Sequence, residues 1–210
     1  HIAGLIAGKV LKNPFDYGFH ILTTTTHKTL RGPRGGMILS KGIVSSPLKK
    51  PEQSIENIPT IIDRTVFPGM QGGPHMNVIA AKAVCFGEAL SPSFESYAKD
   101  VVNNSKTLAD SLMSKGFKLI TNGTDNHLML IDMVRSFNID GKEAEEALEK
   151  VGLYANKNAI PNDTNPPFRP SGLRLGTPAI TTRGLGVNHM EQLATWITQA
   201  IEFRNDDLAQ

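Results

Sequence analysis

Thr23-Thr24-Thr25-Thr26-His27-Lys28-Thr29-Leu30-Arg31-Gly32-Pro33-Arg34-Gly35-Gly36 carries the reading of this chain. Four threonines end an apolar run, Phe19 to Leu22, and β-branched residues favour strands, so they predict a strand end. A lysine beside a histidine follows, then a glycine-rich turn with an arginine. A lysine at a strand end, with hydroxyls before it and flexible backbone after it, is placed to act as a nucleophile. Lysine amines form Schiff bases with carbonyl compounds, and pyridoxal phosphate is the cofactor most often held that way. The plain alternative is a polar turn with a solvated lysine.

Working outward, Phe19 to Thr26 and Gly36 to Ser40 read as buried strands on either side of the lysine turn. Lys41 to Asp63, with Pro47, Pro51 and Pro59, is aperiodic and reads as a surface excursion. Pro74 to Leu90 turns helical, with Val78, Ala81, Cys85 and Ala89 near one face. Ser91-Pro92 is a helix start, and the apolar spacing from Phe94 to Met113 predicts a long helix ended by Gly116. Strands are expected at Phe117 to Thr121, His127 to Met133, Tyr154 to Ile160 and Arg174 to Ile180. Helices are expected from Asp140 to Gly152, with Asp140 and Glu143 spaced as a capping box, and from Asn188 to Arg204, with Asn188 and Glu191 in capping positions. The pattern gives the end of an α/β domain over residues 1–90 and a smaller α+β domain over residues 91–210.

Lys+Arg is 22 against Asp+Glu 20, a formal net charge of +2, which argues against a polyanion as the main partner. Arg31, Arg34 and the glycines around them occur once, without interleaved aromatics, so an RNA-binding tract is the weaker reading. The single cysteine, Cys85, excludes an intrachain disulfide and suits a reducing compartment, and its apolar neighbours predict an inert buried thiol. No apolar run approaches the ~20 residues of a transmembrane helix. Nothing points to a metal site, and His20 and His189 read as ordinary polar partners. Gly69-Met70-Gln71-Gly72-Gly73 precedes a predicted helix, where free backbone N–H groups can hold a phosphate, though loops of this composition are common. Arg174, flanked by small residues, could take both oxygens of a carboxylate, against the plain role of a strand arginine facing solvent.

The long ungapped lysine segment resembles the cofactor-lysine signature of the serine hydroxymethyltransferase family. His1–Gly8, Val66–Pro74, Gly123–His127, Asn156–Asp163 and Ser171–Ala179 resemble the same family in the same order. The resemblance implies a fold-type I pyridoxal-phosphate-dependent transferase, with the end of the large α/β domain followed by a small α+β C-terminal domain. It implies pyridoxal 5'-phosphate held covalently on Lys28, with Thr25 nearest the chemistry, His27 supporting the pocket and His1 at the ring oxygen. It implies that Gly72 and Gly73 reach the phosphate of a neighbouring subunit, although Met70 replaces a frequent glycine. Arg174 would bind the substrate carboxylate, Arg34 would structure the site near Lys28, and Asn158 would lie near the folate region. Expected substrates are serine or glycine and tetrahydrofolate, in a cytoplasmic homodimer or homotetramer. The family's residues for the pyridine nitrogen and much of the phosphate precede the segment matched at His1, so a C-terminal portion with little turnover of its own is expected. The rivals are a threonine aldolase using the same lysine without folate, and a catalytically silent homologue.

Overall fold

The computed structural model describes residues 1–42 and 58–206. The chain divides into two compact units, His1–Ala98 and Lys99–Gln210.

The first unit runs α1 (Ala3–Ala7), a 3-10 turn at Pro14–Tyr17, β1 (Ile21–Thr25), β2 (Gly36–Ser40), α2 (Ile58–Arg64), a π-helical turn at Thr65–Met70 and α3 (Met76–Ala89). β1 and β2 pair antiparallel, with Thr23 opposite Ile38 and Thr25 opposite Gly36. The lysine segment is thus the connection of a strand pair. The expected strand from Phe19 to Thr26 shortens at both ends, the later one because the chain bends at Thr26 to begin the turn, and neither strand is buried as expected, since both consist of exposed and half-buried residues. Residues 43–57 of the expected excursion lie outside the described residues, and 58–63 form most of α2. The buried stripe of α3 is also corrected. Cys85 and Ala89 are buried and Val78 is half-buried, but Ala81 is exposed and Lys82 takes its place. Val78, Lys82, Cys85 and Ala89 follow the i, i+4, i+7, i+11 line of one helix face. Leu30, Cys85, Ala89 and Phe94 form the buried apolar cluster of this unit.

The helix α4 (Pro92–Ser114) starts as the sequence predicts. Ser91 Oγ accepts from the Phe94 amide at 3.3 Å, satisfying one of the orphan first-turn donors. Gly116 ends the helix region with φ +93°, a conformation that favours glycine.

In the second unit α4 is followed by β3 (Lys118–Leu119), β4 (Leu128–Asp132), α5 (Met133–Phe137), α6 (Gly141–Lys150), β5 (Asn156–Asn158), β6 (Gly172–Gly176), α7 (Pro178–Thr182) and α8 (Met190–Glu202). The strands form an antiparallel sheet in the order β3-β4-β6-β5. Leu108 and Leu112 of α4, Leu148 of α6, and Leu193 and Ile197 of α8 join Ile131 of β4 and Leu173 of β6 in one buried cluster. That cluster is where the apolar periodicity of each element is spent.

Several expectations change here. The strand expected at Phe117–Thr121 keeps only Lys118–Leu119 before a 3-10 turn at Ile120–Asn122, and the one expected at Tyr154–Ile160 keeps only Asn156–Asn158. The strand expected at Arg174–Ile180 gives way after Gly176 to α7, whose first residue is Pro178, a position that suits proline. Asp140 caps α6, its Oδ1 accepting from the Glu143 amide at 2.9 Å, but the Glu143 carboxylate is drawn to Arg204 Nε at 2.7 Å, so the capping box is only half formed. α8 begins at Met190 and not at Asn188, after a 3-10 turn at Val187–His189 whose His189 Nδ1 accepts from the Gly186 amide at 3.0 Å.

Candidate functional site

Lys28 sits on a turn whose backbone is closed by its own hydrogen bonds. The Thr26 amide donates to Gly35 O at 3.2 Å, Gly32 N–H to Thr26 O at 2.8 Å, and Arg31 N–H to Lys28 O at 2.9 Å. Thr26 Oγ1 adds a bond to Pro33 O at 2.6 Å. Thr26, Thr29 and Leu30 are buried, whereas Lys28 is exposed. The turn therefore sinks its hydroxyls and its leucine and leaves the amine outside. Among the described residues the Lys28 ammonium has no hydrogen-bond or ion-pair partner.

Two neighbours hold this turn from outside. Thr29 Oγ1 accepts from the Gly4 amide at 2.9 Å and donates to His1 O. On α3, Lys82 Nζ donates to Gly36 O at 2.9 Å and the Cys85 thiol donates to Leu30 O at 3.2 Å. Burial, and then the charge of Glu88, push the Cys85 thiol pKa above its ordinary value. Cys85 is buried, as expected, and it also ties the helix to the lysine turn. Gly32 is glycine for a packing reason: a Cβ there would stand 2.7 Å from Cys85 Sγ and 2.9 Å from Thr26 O. Sequence reasoning passed over Lys82. Its signal was the 3-residue spacing to Cys85 on a helix whose stripe lacked one apolar member.

Thr25 is the last residue of β1, and its Oγ1 is buried without a hydrogen-bond partner. A buried hydroxyl left unpaired is costly, so such an atom marks a place where a further group would be accepted. His27 is half-buried, and its Nδ1 receives the Gly35 amide at 3.5 Å, the long limit of a hydrogen bond. Because the strand has ended at Thr25, alternation along an extended chain does not apply to His27 and Lys28. The two differ through the turn, one half-buried and one exposed. His1 and Arg34 are exposed. Gly72 and Gly73 lie on an exposed stretch, where an added Cβ would meet nothing within 4 Å, and no hydrogen bond joins them to the Lys28 turn among the described residues.

In the second unit Arg174 and Asn158 line one cavity of about 360 Å³ with Asn126, Leu128 and Leu130. Arg174 on β6 is opposite Leu130 of β4 and Asn156 of β5, while its neighbour Leu173 is fully buried on the other face. Its Nη2 makes only a long contact, 3.4 Å, to Asn156 Oδ1, so the guanidinium keeps donors for a ligand. Asn158 Nδ2 donates to Ala159 O at 2.7 Å. His127, buried just before β4, has its pKa lowered to about 4 by burial above all, with surrounding positive charge, that of Arg174 included, as the lesser cause. Its imidazole is neutral beside the cavity at neutral pH. Asp163, in the β5–β6 connection, carries no sequence signal of its role. Its carboxylate accepts four hydrogen bonds across the β5–β6 connection.

With both clusters described, the kinship of the chain is informative. A family model for serine hydroxymethyltransferase matches residues 1–197. The chain belongs to the serine hydroxymethyltransferase family. A protein of that name from Koribacter versatilis is 52% identical over 206 residues, covering 98% of this chain and 45% of the relative. Relatives of the same name from Acidobacterium capsulatum and Phenylobacterium zucineum are 50% and 52% identical, covering 45% and 44% of their own lengths. The chain thus spans about half the length of the curated relatives it matches. The serine hydroxymethyltransferase family consists of pyridoxal-phosphate-dependent enzymes of fold type I, and the mixed α/β architecture accords with part of that fold. Among the described residues no helix is long and apolar enough to cross a membrane.

Proposed function

We propose that the gene product carrying this chain moves the hydroxymethyl carbon of serine to tetrahydrofolate, leaving glycine, and that Lys28 holds pyridoxal phosphate covalently. The observation that carries the reading is the exposed amine of Lys28 on a turn anchored at Thr26, Thr29 and Leu30, in a chain of this family. Bound there, pyridoxal phosphate supplies an electron sink for the bond that breaks. The residues present suit it. The amine is accessible, and the Thr25 hydroxyl lies buried beside the strand end with acceptor and donor capacity unused. Thr25 is assigned a direct contact near the reacting centre, His27 and His1 the cofactor ring, and Gly72 and Gly73 its phosphate.

Arg174 is assigned the substrate carboxylate, because a planar guanidinium with free donors fixes both oxygens at once. Asn158 is assigned the folate side and Arg34 the support of the lysine turn. A homodimer or homotetramer is what membership of this family suggests, and a single buried cysteine suits a reducing, cytoplasmic setting.

The test is an absorbance spectrum of the gene product with pyridoxal phosphate, beside a Lys28→Ala variant, before and after glycine and tetrahydrofolate. A visible band that needs Lys28, and a further band that needs both additions, is the expected result. A Lys28-dependent band indifferent to folate would favour an aldolase. Absence of the first band would leave a silent homologue.

A further inference from the structure

β5 ends at Asn158 and β6 begins at Gly172, and the segment between them returns the chain so that the two strands pair. The register sets Asn158 opposite Gly172 and Asn156 opposite Arg174. β5 is only three residues long. Such a strand specifies its own register weakly, and a slip of one residue would turn Asn158 to the other face. Two carboxylates add to the ladder: Glu145 of α6 accepts from the Lys157 amide at 3.1 Å, and a second one bridges β5 to β6.

The hydrogen bonds name the device. Asp163 Oδ2 accepts from the Ile160 amide at 3.2 Å and from the Ser171 amide at 2.9 Å. Asp163 Oδ1 accepts from the Asn165 amide at 3.0 Å and from Ser171 Oγ at 2.6 Å. Ile160 lies two residues after Asn158, and Ser171 three before Arg174. One carboxylate therefore ties together the two ends of the connection. Close approach of the strands adds to this. A Cβ on Gly172 would stand 2.5 Å from Asn158 O and 2.6 Å from Ile160 Cγ2.

We infer that Asp163 is a positioning residue, whose carboxylate straps Ile160 to Ser171 and so holds Asn158 and Arg174 in the arrangement that lines their shared cavity. The inference rests on the reading above of Arg174 and Asn158 as ligand-holding groups. Only an ionised carboxylate fits the four donors, since each oxygen serves two of them. An asparagine has one acceptor oxygen, so its NH₂ would face two donors. Other ties here, from Arg169 Nε to Asp140 Oδ2 at 2.6 Å and from the Gly141 amide to Pro170 O at 2.6 Å, do not bridge β5 to β6, and the Lys157–Glu145 bonds join β5 to α6 instead.

The test compares Asp163→Asn and Arg169→Gln in the gene product. Asp163→Asn is expected to raise KM for serine roughly tenfold or more, as a small displacement of positioning groups does, while the Lys28-dependent absorbance band stays intact. Arg169→Gln is expected to leave KM within about threefold, the scale of an exposed ion pair. Equal losses in the two variants would trace the effect to general loosening of the connection and overturn the role. A second readout needs no cofactor: amide exchange at Asn156 and Asn158 should quicken in Asp163→Asn, while Lys157, held by Glu145, and α8 stay protected. Unchanged exchange at Asn156 and Asn158 would overturn the strap outright. If the wild-type protein shows no Lys28-dependent band, the proposed function fails, and the exchange result still decides Asp163.

Discussion

Gly4 lies so close to Thr29 that a Cβ on it would stand 2.1 Å from the Thr29 carbonyl oxygen. The same pair is joined by the hydrogen bond from Gly4 N–H to Thr29 Oγ1 at 2.9 Å. The start of the chain and the lysine turn are therefore one packed piece. Thr29→Val would leave the Gly4 amide without its acceptor, at a cost of about 1–3 kcal/mol to the first unit. Gly4→Ala would force the turn to move and cost at least as much. Amide exchange at position 4 and at Gly32, whose amide closes the turn onto Thr26 O, reads both effects, and protection equal to wild type in either variant would refute this packing.

Cys85 should behave as a buried, slow thiol. Its hydrogen bond to Leu30 O and its raised pKa both disfavour the reactive thiolate. Alkylation of the native protein at pH 8 is expected to be far slower than in urea. Rapid native labelling would mean that α3 does not sit on the lysine turn as described.

What the sequence revealed, and what it hid, follows from the range of the interactions. The strand pair around Lys28 was legible because β-branched threonines and the run Met37-Ile38-Leu39 are strong local signals. Asp140 and Ser91 were legible as caps for the same reason, since a cap acts within three residues. Lys82, Thr29 and Asp163 act over separations of 46, 25 and 8 residues. No local pattern announces such a bond. The helix α7 was missed because Arg174 to Ile180 is β-branched and apolar enough to suggest a strand, while Pro178 is also a good first helical residue. The capping box at Asp140 failed in its second half because a distant arginine, Arg204, outcompeted the local amide for Glu143.

Asp163 should give the second unit an acid-sensitive component. Its partial burial works to raise the pKa, and the hydrogen bonds from Ser171 Oγ, Ser171 N, Asn165 N and Ile160 N outweigh it, holding the carboxyl at about 2 against an ordinary 3.8. No cation pairs with it among the described residues. The folded state therefore binds its proton more weakly than the unfolded state. Its stabilisation is complete above about pH 4 and is lost as pH falls towards 2. Trp196 is the single tryptophan and lies on α8, so its fluorescence follows unfolding of this unit. Asp163→Asn should lower stability at pH 7 and flatten the decline between pH 4 and 2. A parallel decline in both proteins would show that the carboxylate is not held as described.

His127 contributes in a higher window. Its pKa is depressed from 6.5 to about 4 by burial above all, with surrounding positive charge, Arg174 included, as the lesser cause. Between those values the unfolded chain binds more protons than the folded one. The contribution is complete above pH 6.5 and erodes as pH falls through 6 and 5 to about 4. Imidazole proton resonances of His127 should stay still from pH 8 to 5. A midpoint near 6.5 would mean that the ring is solvated and not buried as described.

Thr25 separates a structural role from a functional one. Its Oγ1 is buried and unpaired, so the fold gains nothing from the hydroxyl and bears its desolvation. Valine has nearly the same shape without the polar atom. Thr25→Val should therefore leave stability unchanged or raise it by up to about 1 kcal/mol, because an unsatisfied group has been removed. If Thr25 contacts the cofactor or the reacting centre, the same variant should lose turnover by roughly tenfold or more, the scale of a lost proton-transfer or hydrogen-bonding group. A stabilised protein with impaired turnover is hard to explain by packing, since packing defects lower both together. Full activity in Thr25→Val would remove Thr25 from the site. Lost stability would mean that the hydroxyl has a structural partner, and the reason for assigning it to a bound group would disappear.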